Sequence, residues 1–183
     1  MINTPPLDRQ PVKTHVMEFD EHILAAAIRN EIARKGQIYF VHNRVETIDR
    51  VAARVAKMAP GARIAIGHGQ MAERELERTM IAFMKGGIDI LVCTTIIESG
   101  IDVPNANTLI VDRAESFGMA DLYQLRGRVG RFDRKAYAYF VVGNISSLTH
   151  EEQRRLNALK KFTELGSGFK VAMQDLELRG AGN

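Results

Sequence analysis

The chain has 183 residues, of which 45% are apolar and 26% charged, and its formal net charge is +3. That length fits one domain with a genuine core, burying roughly 70% of the surface its unfolded chain exposes. The composition is that of a globular protein and argues against disorder except at the ends, and so small a net charge does not by itself announce nucleic-acid binding, so any basic surface has to be local.

Residues 1–11 hold Pro5, Pro6 and Pro11 and no periodic pattern, which predicts an extended interdomain linker. Residues 12–19 read as a strand. Asp20 is placed to cap the helix that follows, whose apolar face is Leu24, Ala27, Ile28 and Ile32. The continuous apolar run 37–41 is the kind of strand that a sheet buries on both faces. A helix with Val45, Ile48, Ala52 and Val55 inward comes next, then a Pro60–Gly61 turn and a strand at 63–66. The helix after that turns Leu76, Met80 and Phe83 inward and is ended by Gly86 and Gly87.

Strands at 88–93, 108–111 and 136–142 complete the pattern, and Cys93, the single cysteine, is expected as a buried thiol with no disulfide partner. Strands alternating with helices predict an α/β domain over residues 12–145, with a mostly parallel sheet covered on both faces. Residues 146–183 change character. Leu156, Leu159 and Phe162 share one helical face among Arg154, Arg155, Lys160 and Lys161, and a second helical piece over 169–176 follows the glycines at 166 and 168. A C-terminal helical hairpin, cut short at residue 183, is the expectation. No apolar stretch approaches the roughly 20 residues that span a bilayer, and no secretory signal pattern opens the chain, so the expected location is cytoplasmic with no membrane partner. The five histidines, at 15, 22, 42, 68 and 150, show no ligand spacing with one another or with Cys93, and no metal site is expected.

Ligands of parallel sheets bind at the carboxyl ends of the strands, and three informative loops fall there: 42–44, 67–69 and 94–104. The last carries the hydroxyls of Thr94 and Thr95 at one end and Gly100 and Asp102 near the other. Hydroxyls and exposed amides suit phosphates, and a carboxylate suits a ribose hydroxyl. For this loop alone, a helix cap and a turn before Pro104 account for the residues equally well. Residues 124–131, Gln-Leu-Arg-Gly-Arg-Val-Gly-Arg, are more distinctive. They set Arg126, Arg128 and Arg131 around Gly127 and Gly130, with Arg134 and Lys135 following. The planar guanidinium fork matches phosphate oxygens two at a time, and glycines between the arginines let the backbone approach a bulky anion. Phe117, Met119, Leu122 and Tyr123 are expected as core behind this segment.

Read in order, Thr-Thr-x-x-x-x-Gly-x-Asp at 94–102 and Gln-x-x-Gly-Arg-x-Gly-Arg at 124–131 resemble the fifth and sixth motifs of superfamily 2 helicases and translocases, in their second RecA-like domain. The resemblance includes the His68–Gly69 loop and the strand before Asn43 and Arg44, and so covers nearly the whole chain. Within that superfamily, Ile-Gly-His-Gly-Gln-Met at 66–71 and Val-Cys-Thr-Thr-Ile-Ile-Glu at 92–98 look like the family of bacterial transcription-repair coupling factors, with the RecG-type fork translocases as near relatives.

The resemblance implies a RecA-like three-layer domain followed by a helical translocation motif. Its implied activity is that of an ATP-dependent double-stranded DNA translocase, which displaces stalled RNA polymerase and couples transcription to nucleotide excision repair. Residue by residue, it implies that Arg128 and Arg131 reach the γ-phosphate of ATP, which is held with Mg2+ mainly by the first RecA-like domain, and that Gln124 helps to position the site. Gly100 and Asp102 approach the nucleotide. Thr94, Asn43, Arg44, His68 and Gly69 touch the DNA backbone, while Arg155 and Arg179 couple nucleotide state to movement. RNA polymerase and excision-repair proteins are the partners implied for the whole protein.

The chain carries no Gly-x-x-x-x-Gly-Lys-Ser/Thr cradle, so it is expected to be nearly inactive by itself. Asp20–Glu21 superficially resembles the acidic magnesium motif of such enzymes, but capping and the helix dipole account for it. Two other readings stay open: a RecG-type fork-remodelling domain, and a nucleic-acid-binding module without catalysis.

Overall fold

A computed structural model describes residues 12–95, 103–130 and 133–161. Six strands form one sheet: β1 (Val12–Glu18), β2 (Gln37–Val41), β3 (Ile64–Gly67), β4 (Ile90–Cys93), β5 (Ala106–Val111) and β6 (Ala136–Val142). Their order is β1-β6-β5-β2-β4-β3, and every pairing is parallel. The helices are α1 (Glu21–Ala33), α2 (Ile48–Met58), α3 (Glu73–Met84), α4 (Met119–Arg126) and α5 (His150–Lys161). The strands and helices expected between residues 12 and 94 are all present.

The period of two along each strand divides the core into two layers. Tyr39 and Val41 of β2 and Leu91 and Cys93 of β4 face one way, against Met80 and Phe83 of α3, Leu122 and Leu125 of α4, and Leu156 and Leu159 of α5. Ile38, Phe40, Ile90 and Val92 face the other way, against Leu24 and Ile28 of α1 and Ile48, Ala52 and Val55 of α2. This is the three-layer architecture that the alternating pattern implies. Cys93 is fully buried, and burial pushes its thiol up to about 12. Asp20 caps α1 as expected, its Oδ1 accepting from the Ile23 N–H at 3.1 Å. A second cap went unpredicted: Thr149 and Glu152 form a reciprocal capping box at the start of α5, at 2.8 and 3.1 Å.

The amino ends of the strands close on themselves. Glu31, 1% exposed, accepts two hydrogen bonds from Arg34 at 2.6 and 2.7 Å and one from the Thr108 hydroxyl of β5. Gly36 leaves room for that carboxylate, since a Cβ there would overlap it. The amide of Gln37 donates to the Phe83 and Ile88 carbonyls at 2.6 and 2.8 Å, tying the start of β2 to the end of α3.

One element departs from the sequence reading. Residues 124–126, which open the arginine-glycine segment and for which the sequence predicts no helix, form the last turn of α4, with Gly127 as its C-cap in right-handed conformation. Of the two glycines in the segment, Gly130 is the one whose backbone, at φ 108°, requires glycine. The expected linker at 1–11, Phe162 and the expected second helical piece at 169–176 lie outside the described residues.

Candidate functional site

The carboxyl ends of β2, β4 and β5 open on a groove of about 200 Å³, lined by Asn43, Thr95, Ser116, Phe117, Gln124 and Arg128 among others. It sits where the chain changes direction across the sheet, because β4 and β5, consecutive in sequence, flank β2 on opposite sides. Parallel sheets place ligands at such a crevice.

Each wall has a local cause. β2 is apolar through Val41 and then releases the chain as the exposed pair Asn43 and Arg44. After β4, Thr94 is half-buried and Thr95 exposed. β5 delivers Asp112, and Arg113 then bends the chain in the left-handed conformation, at φ 53°. A 3-10 turn at Ala114–Ser116 follows, and Phe117 and Met119 bury against the core and seat α4. Met119, Leu122 and Leu125 hold the inner face of α4, so Gln124 is turned out on its exposed face. Arg128 follows just beyond the helix, its N–H donating to the Leu125 carbonyl at 3.0 Å. Among the described residues no hydrogen bond engages its guanidinium.

The structure therefore brings together Asn43, Gln124 and Arg128, with Thr94 and Arg44 on the same rim. His68 and Gly69 follow β3, two positions from β2 in the sheet, at the same end but outside the groove. Here His68 accepts at Nδ1 from the Gln70 N–H at 3.2 Å, and Gly69 is exposed, with open space where a Cβ would stand. Gly100, Asp102, Arg131 and Arg179 lie outside the described residues.

Arg126 behaves differently from its neighbours. It is 7% exposed and donates from Nη1 to the Leu159 carbonyl at 3.1 Å, in the last turn of α5, where helix carbonyls lack intrahelical partners. Burial holds its pKa below the ordinary arginine value, yet a guanidinium stays charged. It fastens α5 to α4 instead of meeting solvent. Arg155 makes a second tie, donating from Nη2 to the Glu115 carbonyl at 3.2 Å while pairing with Glu151 at 3.5 Å. The wall that carries Gln124 and Arg128 is thus linked to α5 at two points.

Sequence reasoning missed the pairing of buried His42 with part-exposed Asp112, 2.8 Å apart behind the rim. Each directly follows a strand, and the register Val41↔Val111 makes them neighbours. The only signal in the sequence is that each polar residue stands at the end of an apolar strand; the pairing itself comes from the fold.

Comparison with known proteins gives the family and the fold. The family described as helicase conserved C-terminal domain matches residues 20–133. A transcription-repair-coupling factor from Bacillus subtilis (strain 168) is 54% identical over 183 residues, all of this chain and 16% of that protein. One from Myxococcus xanthus is 50% identical over the same 183 residues, 15% of its length. This chain therefore spans about a sixth of the curated relatives it matches. Among solved structures, RecG bound to a three-way DNA junction superposes with a TM-score of 0.77 at 36% identity, over 94% of this chain and 23% of that one. The C-terminal domain of the DEAD-box protein Dbp5 superposes with a TM-score of 0.58 at 21% identity, over 84% of this chain and 86% of that one, a likeness of fold alone.

Proposed function

This chain belongs to the helicase conserved C-terminal domain family, and from that premise we propose that it is the second motor domain of an ATP-dependent double-stranded DNA translocase of the transcription-repair coupling kind. In that reading the whole protein displaces stalled RNA polymerase in the cytoplasm and recruits excision repair. The observation that carries the proposal is the gathering of Asn43, Gln124 and Arg128 around one groove at the strand ends, in a chain 54% identical to a transcription-repair-coupling factor.

The sheet end divides the work. The loops after β2, β4 and β3 stand side by side in the sheet and present Asn43, Arg44, Thr94, His68 and Gly69 to the DNA backbone. Contacts of this kind hold a duplex without reading its sequence, as a translocase requires. On the β5 side, Arg128 meets the γ-phosphate of ATP, and Gln124 orients its surroundings. The residues present fit such an anion: an arginine whose guanidinium has no hydrogen-bond partner among the described residues stands beside an exposed amide. ATP and Mg2+ are held mainly by the first motor domain, because the residues for a phosphate cradle are not in this chain. Arg128 then acts across the domain interface, its fixed charge offsetting the negative charge that builds up on the transferred phosphoryl group. Arg131, Gly100 and Asp102 join the nucleotide side, and Arg155 and Arg179, within the translocation motif, couple its state to movement on DNA.

Arg128→Ala in the full-length protein tests this directly. DNA-stimulated hydrolysis is expected to fall by roughly 10³- to 10⁵-fold, the range for an arginine supplied across an interface, with duplex affinity changed modestly. The opposite pattern, intact hydrolysis with weakened DNA binding, supports the non-catalytic module instead. The likeness to RecG favours fork remodelling as the second reading, and fork regression without polymerase displacement by the full-length protein decides for it.

A further inference from the structure

His42, the residue immediately after β2, is 4% exposed, and the function proposed above leaves it without a role. Its ring joins two segments that are far apart in sequence. Nδ1 lies 2.8 Å from Asp112 Oδ2, and Nε2 lies 2.6 Å from Thr47 Oγ1. An ionised carboxylate only accepts, so Nδ1–H donates to Asp112, and in that tautomer Nε2 accepts from the Thr47 hydroxyl. Backbone hydrogen bonds hold the ring's base on both sides: the His42 N–H donates to the Cys93 carbonyl and the Asp112 N–H to the Val41 carbonyl, each at 2.8 Å.

Between His42 and Thr47 runs the short loop that carries Asn43 and Arg44. Its inner bond is the Arg44 N–H to the His42 carbonyl at 3.0 Å. The His42–Thr47 contact closes the mouth of that loop. The His42–Asp112 contact fastens it to the segment that leads through the turn at Ala114–Ser116 to α4, and so to Gln124 and Arg128. The imidazole is a rigid plane held at opposite edges, and it makes the loop and the groove wall one mechanical unit.

We propose that His42 is a positioning residue: with Thr47 and Asp112 it forms a clasp that sets the Asn43–Arg44 loop, before DNA arrives, against the wall carrying Gln124 and Arg128. The inference rests on the proposed function, in which that loop touches DNA and that wall touches nucleotide. A loop ordered in advance avoids the ordering cost on binding. Loosening the clasp therefore raises the DNA concentration needed to engage the motor and leaves its rate, once DNA is saturating, in place.

The test is DNA-stimulated ATP hydrolysis by the full-length protein over a duplex titration. Thr47→Val removes the hydroxyl at nearly constant shape, and His42→Gln keeps a polar group near Nε2 while releasing Asp112. Each is expected to raise the half-stimulating DNA concentration about five- to tenfold, the effect of losing one hydrogen bond of ordinary net strength. The DNA-free and DNA-saturated rates should stay within about twofold of the parent. The double variant should shift little further than the larger single one, because both act on one clasp. Asp112→Asn, which retains an oxygen to accept from Nδ1–H, should stay close to the parent where Asp112→Ala does not. A merely structural histidine would lower the melting temperature and the saturated rate without moving the half-stimulating concentration. An unchanged half-stimulating concentration in Thr47→Val, or additive shifts in the double variant, overturns the clasp. Arg44→Ala separates the two levels. If it shifts the titration and Thr47→Val does not, the clasp alone fails; if neither shifts it, the loop does not serve DNA and the underlying reading fails as well.

Discussion

The two ends of the sheet use polar residues in opposite ways. At the amino ends, Glu31, Arg34 and Thr108 close on one another and Gln37 closes on backbone carbonyls, so these hydrogen bonds are made inside the fold. At the carboxyl ends, buried His42, with part-buried Asp112 and Thr47, supports side chains that face outward: Asn43, Gln124 and Arg128. The same parallel sheet builds both ends, so polarity at a strand terminus does not by itself mark a site. What separates them is whether the hydrogen bonds are completed inside the fold. A closed network supports stability, and an open rim is available for chemistry.

The contrast breaks most readily at the closed end. Gly36→Ala places a Cβ where the Glu31 carboxylate sits, and the buried acid has to leave Arg34 or Thr108. A loss of about 3 kcal/mol in urea unfolding is expected, the scale for disrupting a buried ion pair. A variant as stable as the parent would show that the Glu31 network has slack.

A smaller effect should come from His15 on β1, which stacks on Tyr139 at 5.1 Å. Burial, and then Lys13 and Lys160, hold its pKa below 6.5. The unfolded chain, titrating near 6.5, binds a proton that the folded chain resists, so stability should be full above that value and decline as pH falls from it toward the folded pKa. His15→Gln should flatten this acid-side slope in melting temperatures measured from neutral to mildly acidic pH, and an unchanged slope would assign it to other groups.

The smallest effect on stability is expected at the open end. Gln124→Ala should leave unfolding within about 0.5 kcal/mol, as for an exposed side chain without structural partners, while lowering DNA-stimulated hydrolysis. A large stability loss there would mean that the rim is structural and the contrast false.

How much of this could be read from the chain varies with the physics involved. β2 and β4 were visible because continuous apolar runs have few alternatives, and the α1 cap was visible because Asp20 stands immediately before a helical stripe. α4 was missed. Its inner face of Met119, Leu122 and Leu125 was assigned to core, but the arginines and glycines after it suggested a loop, and spacing alone cannot tell that Arg126 turns inward while Arg128 lines the groove. Glu31 completes a stripe with Leu24, Ala27 and Ile28. Its position gave it away and its charge argued against it, because acids are seldom buried without partners, and while Arg34 stands three residues away, Thr108 comes from a strand far along the chain. The His42–Asp112 pair depends on β5 lying beside β2, a strand order that local patterns do not encode. For the site, the sequence supplied Asn43, Gln124 and Arg128, and the fold supplied their convergence.

Cys93 has a practical consequence. It is the single cysteine of the chain, fully buried, with its thiol pushed up to about 12, so at neutral pH it offers neither access nor appreciable thiolate to an alkylating dye. A cysteine introduced at exposed Asn157 on α5 would then be the reactive thiol of this domain with the native one left in place. In the full-length protein, paired with a second label on duplex DNA, it would test for movement of α5 in the proposed ATP cycle as an optical distance.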